Sequence, residues 1–334
     1  MSETNSSYPF ASARIKAMES KLITKEKLAR LIEAKDYDAA MRQLAELGYG
    51  QASGSQTAGP SFETLIEKEL HEADALLEAL SPSGVFTRIM RAERDCYNLK
   101  VLIKLFMQDK DLGSVALSPG NITVETLRRA ISENNYYDLP DTVKEALLYI
   151  DRQFAAVTDA SIIGVALDRA YAKEVRALVT ELADPLVSAY FEAFFDISNI
   201  IALMRVRAAG LSKESFERAF VHGGRIDKRT LSDAFDLSDE NLPGAVLKGA
   251  YTAVLGAAFD DYAKTGSLYM MEKARDDYLL SLLKARRYDM FGIGPLMGYY
   301  IAKQREAAAV RLVMTAKQGG IDMELAGRRL KELY

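Results

Sequence analysis

Asp95-Cys-Tyr-Asn98-Leu99-Lys-Val-Leu102-Ile103-Lys-Leu-Phe106 reads as one buried face of a helix, with Leu99, Leu102, Ile103 and Phe106 at i, i+3, i+4 and i+7. Its opening pattern, an acid, two residues, asparagine and an aliphatic, returns as Asp196-x-x-Asn199-Ile200. A third copy, Glu306-x-x-Ala309-Val310, keeps the acid and loses the amide. The stripe stays in register through all three: Leu99/Leu102/Ile103, Ile200/Leu203/Met204 and Val310/Val313/Met314. Asn98 and Asn199 are 101 residues apart, and Ala309 follows Asn199 by 110. A self-similarity period near 100 residues makes the chain a repeat of a helical unit.

A second motif keeps the same order. Thr24-x-Glu26-x-Leu28-x-Arg30-x-Ile32 returns as Thr123-x-Glu125-x-Leu127-x-Arg129-x-Ile131 and then as Ser212-x-Glu214-x-Phe216-x-Arg218-x-Phe220. A degraded fourth copy is Asp322-x-Glu324-x-Ala326-x-Arg328-x-Leu330. Each starts with a side-chain oxygen able to cap the free amides of a first turn, with an acid where the helix dipole favours one. Each copy is a helix start. Breaks are predicted at Gly48-Tyr49-Gly50, Ser81-Pro82-Ser83-Gly84, Ser118-Pro119-Gly120, Leu139-Pro140-Asp141, Gly223-Gly224 and Gly319-Gly320. Strand alternation and hairpin signals are absent. The expected fold is all-α, with helical repeat domains at 1–117, 118–209 and 210–334 and a surface loop over 51–60 (QASGSQTAGP).

Composition closes off several function classes. The 334 residues are 49% hydrophobic and 27% charged, enough to bury cores and stay in solution. A net charge of −4 gives no basic footprint for nucleic acid. The single cysteine, Cys96, makes no internal disulfide and suits a reducing compartment. The start, MSETNSSYPF, lacks the basic and apolar regions of a signal peptide, and no direct membrane span is expected. From Lys284 onward ten basic residues face five acids, a balance of +5 that leaves −9 for the rest. Such asymmetry would orient the chain between an acidic and a basic partner, and is equally compatible with no such role.

No group of residues assembles a reaction centre. His71-Glu72-Ala73-Asp74 lacks the second histidine of a zinc helix. His222-Gly223-Gly224-Arg225 lacks the lysine and threonine of a phosphate loop and reads as a helix C-terminus; Gly292-Ile293-Gly294 has no preceding strand. Asp260-Asp261 and Asp276-Asp277 resemble the aspartate-rich motif of helical isoprenoid synthases, but Lys264 and Leu280 stand where a further magnesium-binding carboxylate is needed. Cys96 lies among acids, which disfavours a thiolate. The recurring acids and arginines read as packing of the unit before contacts with a partner. The expected catalytic, cofactor and metal residues are none, and no partner-binding residue is singled out.

Tyr8-Pro-Phe10-Ala-Ser-Ala13-Arg14-Ile-Lys-Ala-Met-Glu19-Ser-Lys-Leu22 resembles the start of the C subunit of the archaeal and bacterial V/A-type rotary ATPases, whose eukaryotic counterpart is the V-ATPase d subunit. The Asp-x-x-Asn helices are similar to those of that family, as is Phe291-Gly-Ile-Gly-Pro295-Leu296-Met-Gly-Tyr299-Tyr300-Ile-Ala-Lys303-Gln-Arg-Glu306. Ala309 departs from the family pattern, which has asparagine there. The resemblance implies a funnel of three similar helical domains around a pseudo-threefold. It also implies a non-catalytic central-stalk role, a socket coupling the shaft subunits D and F to the membrane proteolipid ring during proton or other ion transport. It places the chain in the cytoplasm, peripheral to the membrane through the ATPase complex. A generic helical adaptor or scaffold that binds partner helices is the alternative.

Overall fold

The computed structural model describes residues 7–49, 61–154 and 160–334, and the 51–60 stretch expected to loop lies outside them. The described residues hold sixteen helices and no strand. In chain order they are α1 (Ser7–Glu19), α2 (Lys25–Glu33), α3 (Tyr37–Glu46), α4 (Phe62–Leu80), α5 (Gly84–Met107), α6 (Val124–Ser132), α7 (Asp141–Phe154) and α8 (Ser161–Leu182). There follow α9 (Pro185–Ala208), α10 (Lys213–Ala219), α11 (Lys228–Ala234), α12 (Leu242–Val246), α13 (Ala250–Thr265), α14 (Tyr269–Lys284), α15 (Gly294–Gln318) and α16 (Met323–Arg328). The chain is all-α.

Helix boundaries follow local chemistry. Thr24 Oγ1 accepts from Lys27 N at 3.3 Å, Thr123 Oγ1 from Thr126 N at 3.2 Å, and Asp322 Oδ1 from Glu324 N at 2.9 Å. These are side-chain caps on otherwise unpaired first-turn amides. Ser212 precedes α10 as expected, but its hydroxyl caps no first-turn amide. Pro185 and Pro295 open α9 and α15, where a missing N–H costs nothing. The predicted breaks, apart from Gly50, which lies outside the described residues, fall between helices or on a helix's first residue.

Packing divides the chain into two compact units, Met1–Pro82 with Asp276–Tyr334, and Ser83–Arg275. In the first, α15 is the central element: α1, α2, α3, α4 and α16 pack against it. Val310, Val313 and Met314 are fully buried there, facing a core that includes Leu31, Leu44 and Ile66. In the second, α5, α7 and α8 pack side by side, α6 covers α5, and α9 joins α8 to α10. Leu99, Leu102 and Ile103 bury in this core with Leu127, Leu147 and Leu167. Each such side chain contributes about 1.5–3 kcal/mol relative to exposure. The three predicted stripes are thus core in every copy, Ile200, Leu203 and Met204 included. Phe106 is the exception: it lies in the last turn of α5, which ends at Met107, and is 49% exposed.

Among the described helices, α9 alone is long and apolar enough to cross a membrane by length and composition, with mean hydropathy 1.4 over its most apolar stretch. Sixty-one per cent of that stretch is buried inside the protein. Its apolar run serves the core of the second unit, with Ile197, Ile200 and Leu203 fully enclosed.

Candidate functional site

The acids of the recurring motif converge on one arrangement, in which a long helix holds the backbone just ahead of a shorter one. On α5, Asp95 accepts from the backbone N–H of Asn121 (2.9 Å) and Ile122 (3.1 Å), immediately before the Thr123 cap of α6. One turn along, Asn98 Nδ2 donates to the Ser118 carbonyl at 2.9 Å. On α9, Asp196 accepts from Ile226 N at 2.8 Å, just before Asp227 and α11, and from the Tyr251 hydroxyl at 2.9 Å. Asn199 bonds Val221 twice, Nδ2 to its carbonyl at 2.8 Å and Oδ1 from its N–H at 3.0 Å. On α15, Glu306 accepts from Ile23 N at 2.6 Å, immediately before the Thr24 cap of α2. Ala309, at the asparagine position, is buried and supplies no such bond.

Asp95, Asn98, Asp196, Asn199 and Glu306 are all buried, between 0% and 6% exposed. A buried polar group is tolerated only when paired: the carboxylates accept from backbone N–H groups just ahead of a helix, and the asparagines pair with the backbone of Ser118 and Val221. Glycine allows the close approach. A Cβ on Gly120 would lie 2.6 Å from Asp95 Cγ, and one on Gly224 would lie 2.6 Å from Asp196 Cγ. In the α15 copy the corresponding residue, two before Ile23, is Lys21. Glutamate there reaches one methylene further than aspartate, so the backbone need not come as near.

Electrostatics separate the copies. Burial is the largest influence on Asp95 and outweighs the backbone N–H bonds that favour its anion, pushing its carboxyl up to about 6. Glu306 is instead held in a charged cluster. Its Oε1 accepts from the Tyr49 hydroxyl at 2.8 Å and Lys303 Nζ at 2.7 Å, and Lys303 also reaches Glu69 at 2.7 Å. Burial works to lower the Lys303 ammonium, but Glu306 and Glu69 more than compensate and hold it above its ordinary range. Burial, reinforced by Glu306, pushes the Tyr49 phenol far above its usual value, so it stays a donor. A cavity of about 470 Å³ borders this cluster at Tyr49, Glu69 and Lys303.

The register of the third helix start differs from the sequence expectation. The segment bonded by Asp196 leads into Asp227 and α11, whereas Ser212 begins α10. Ile23-Thr24, Ile122-Thr123 and Ile226-Asp227 are the equivalent positions, followed five residues after each isoleucine by buried Leu28, Leu127 and Leu231. Arg229 stands where Glu26 and Glu125 do in the other copies, so the acidic first turn of the motif does not mark α11. The shared Gly-x-Ile of Gly120 and Gly224 would have marked it. His222-Gly223-Gly224-Arg225 is accordingly not a helix end: α10 stops at Ala219.

The residues weighed as chemical candidates are scattered. His71 and His222 are both exposed, on α4 and in the α10–α11 connection. Asp276 pairs with Lys331 at 2.6 Å, and Asp277 accepts from Glu332 N at 3.0 Å. Among the described residues no three His, Cys, Asp or Glu side chains gather as a metal site. Cys96 is buried, and that burial pushes its thiol up to about 12.

The sequence pattern of the ATP synthase (C/AC39) subunit family matches residues 11–329. The chain belongs to that family. The C subunit of the A-type ATP synthase of Methanocaldococcus jannaschii is 25% identical over 93% of this chain and 82% of its own length. The C subunit of the V-type sodium ATPase of Enterococcus hirae is 24% identical over 96% of this chain and 97% of its own. The C subunit of the A-type ATP synthase of Haloferax volcanii is 23% identical over 96% and 97%. The C/AC39 subunit is a structural stalk component of a membrane-associated rotary ATPase, not a catalytic one, and it has partner subunits. In such a subunit the recurring buried carboxylates read as architectural groups, each fixing the backbone ahead of a short helix against a long one.

Proposed function

We propose that the chain is the socket of the central stalk, coupling the shaft subunits D and F to the membrane proteolipid ring, peripheral to the membrane on its cytoplasmic side. Its three divergent helical copies, near 1–117, 118–209 and 210–334, would surround a funnel axis, with the N-terminal segment from Ile23 to Tyr49 bonded onto the long helix of the last copy. The observation that carries this reading is the threefold recurrence of a buried carboxylate on α5, α9 and α15 holding the backbone ahead of a short helix. A part that transmits torque must resist shear between its elements. Charge-assisted hydrogen bonds to backbone, worth about 1.5–3 kcal/mol each when buried, resist it better than apolar packing, which slides.

The test is reconstitution. Purified chain is added to an ATPase complex stripped of its own C subunit, and ATP hydrolysis and ATP-driven ion pumping are measured together. Restored pumping per ATP hydrolysed supports the socket role. Full coupling without the chain, or binding of the chain with no change in coupling, would refute it.

A further inference from the structure

The second unit carries a basic trough with no role in the carboxylate arrangement. Where α7 packs on α8 there is a cavity of about 300 Å³. Its floor is apolar and made of small side chains, among them Ala146, Ala166 and Ala170. Its rim is cationic: Arg169, Lys173 and Arg176 from α8, and His222 from the connection between α10 and α11. Positions 169, 173 and 176 are i, i+4 and i+7, so they line one face of the helix. All three are exposed, as is His222.

Lys173 meets Glu145 at 2.7 Å, both ends being more than half exposed. Such a surface pair is worth about 0–1 kcal/mol and is easily exchanged. No ion pair engages Arg169 or Arg176 among the described residues. Their charge is nevertheless felt locally. The His222 imidazole is harder to protonate than usual, first through burial and then through Arg176, Arg169 and Lys228. With Glu145 set against Lys173, the rim keeps an excess of positive charge from Arg169 and Arg176 in a chain of net charge −4.

The shape distinguishes the kinds of anion. Arg169 to Arg176 spans about 10 Å along the axis at about 1.5 Å per residue, so a single phosphate would meet one end only. A bare anion also gains nothing from an alanine floor. A helix with carboxylates at the same i, i+4, i+7 spacing would meet Arg169, Lys173 and Arg176 while burying its own small apolar residues against the alanines. We propose that the α7–α8 trough is the docking groove for an acidic amphipathic helix of a partner protein. The inference rests on the reading of the chain as one subunit of a larger assembly, and names the chemistry of one partner surface.

Two measurements test it. The first uses a helical peptide of about five turns, with glutamates at i, i+4 and i+7 beside an alanine and leucine face, its lysine counterpart, inorganic phosphate, and anionic lipid vesicles. Affinity is read by calorimetry and the His222 titration by NMR, which two histidines in the chain make simple to assign. The acidic peptide should bind, raise the His222 pKa, and lose at least tenfold in affinity to Arg169→Glu/Arg176→Glu, whose sites are exposed and whose folding is checked by circular dichroism. Equal binding to that variant, no peptide binding, or a His222 shift given as readily by phosphate or by vesicles would overturn the proposal.

The second compares wild type and the double variant for incorporation into the ATPase complex. If wild type itself fails to join any ATPase subunit, the proposed function falls, whatever the peptide does. If both join equally well, the groove falls and the function stands. Selective loss of the variant supports the groove.

Discussion

Gly224→Ala tests whether the Asp196 bonds hold the second unit together. The added methyl would sit 2.6 Å from Asp196 Cγ and 3.0 Å from Asp196 N, and the carboxylate is fully buried with nowhere to turn. If the side chain swings, the bonds to Ile226 N and Tyr251 Oη break; if the 221–226 backbone withdraws instead, the bond to Ile226 N and those of Asn199 to Val221 break. Two hydrogen bonds to a charged group amount to about 3–6 kcal/mol. Against this stands a gain of about 0.4–1 kcal/mol from a less flexible unfolded chain, since Gly224 has no left-handed φ. The expected loss is about 2–5 kcal/mol, read by urea unfolding followed with far-ultraviolet circular dichroism. Gly164→Ala, inside α8 with open space around its Cβ, should be neutral or stabilising by up to about 1 kcal/mol. The deciding experiment is the double-mutant cycle: in an Asp196→Ala background, Gly224→Ala should cost under about 1 kcal/mol. If it costs as much there as in wild type, or if the single variant is as stable as wild type, the carboxylate is not what Gly224 accommodates.

Asp95 gives a pH-dependent test. Its carboxyl, at 3.8 ordinarily, is raised to about 6, so between those values the folded state binds its proton more readily than the unfolded one. That contribution is fully present below about pH 4 and is lost as pH rises through 6. The stability of wild type relative to Asp95→Asn should therefore decline by up to about 3 kcal/mol from pH 4 to pH 7; a constant difference in denaturation across that range would contradict it. Lys303→Met leaves the buried Glu306 and the half-buried Glu69 without their cation and should cost about 3–5 kcal/mol by thermal or urea unfolding. Adding Glu306→Gln should recover part of that, because the amide oxygen still accepts from Ile23 N; no recovery would mean that the charge is not the problem. Cys96 should resist a thiol reagent at pH 8 in the folded chain and react once unfolded, with rapid native labelling the contrary result.

The helical class and the core stripes were legible because both rest on local rules. Leu99, Ile200 and Val310 lie at helical spacing beside their partners, and burial of such a stripe is the only stable outcome. Thr24, Thr123 and Asp322 cap the helices they announce, since capping involves residues only two or three apart. Asp95 and Asn98 recurring as Asp196 and Asn199 was also visible, but not what they do. Their bonds span 20 to 30 residues to Ser118, Asn121, Ile122, Val221 and Ile226, and Glu306 reaches Ile23 across 283.

The sequence by itself determined where α2, α6, α10 and α16 begin, which residues form the apolar stripes of α5, α9 and α15, and to which family of rotary ATPase subunits the whole chain belongs. Tertiary structure decided that the buried Asp196 holds the backbone ahead of α11 and not α10, and that the N-terminal helices pack on α15 at the far end of the chain. The physical reason is range. Helix periodicity and caps are written within a few residues, whereas a carboxylate's choice among distant backbone amides is made only when both are buried together.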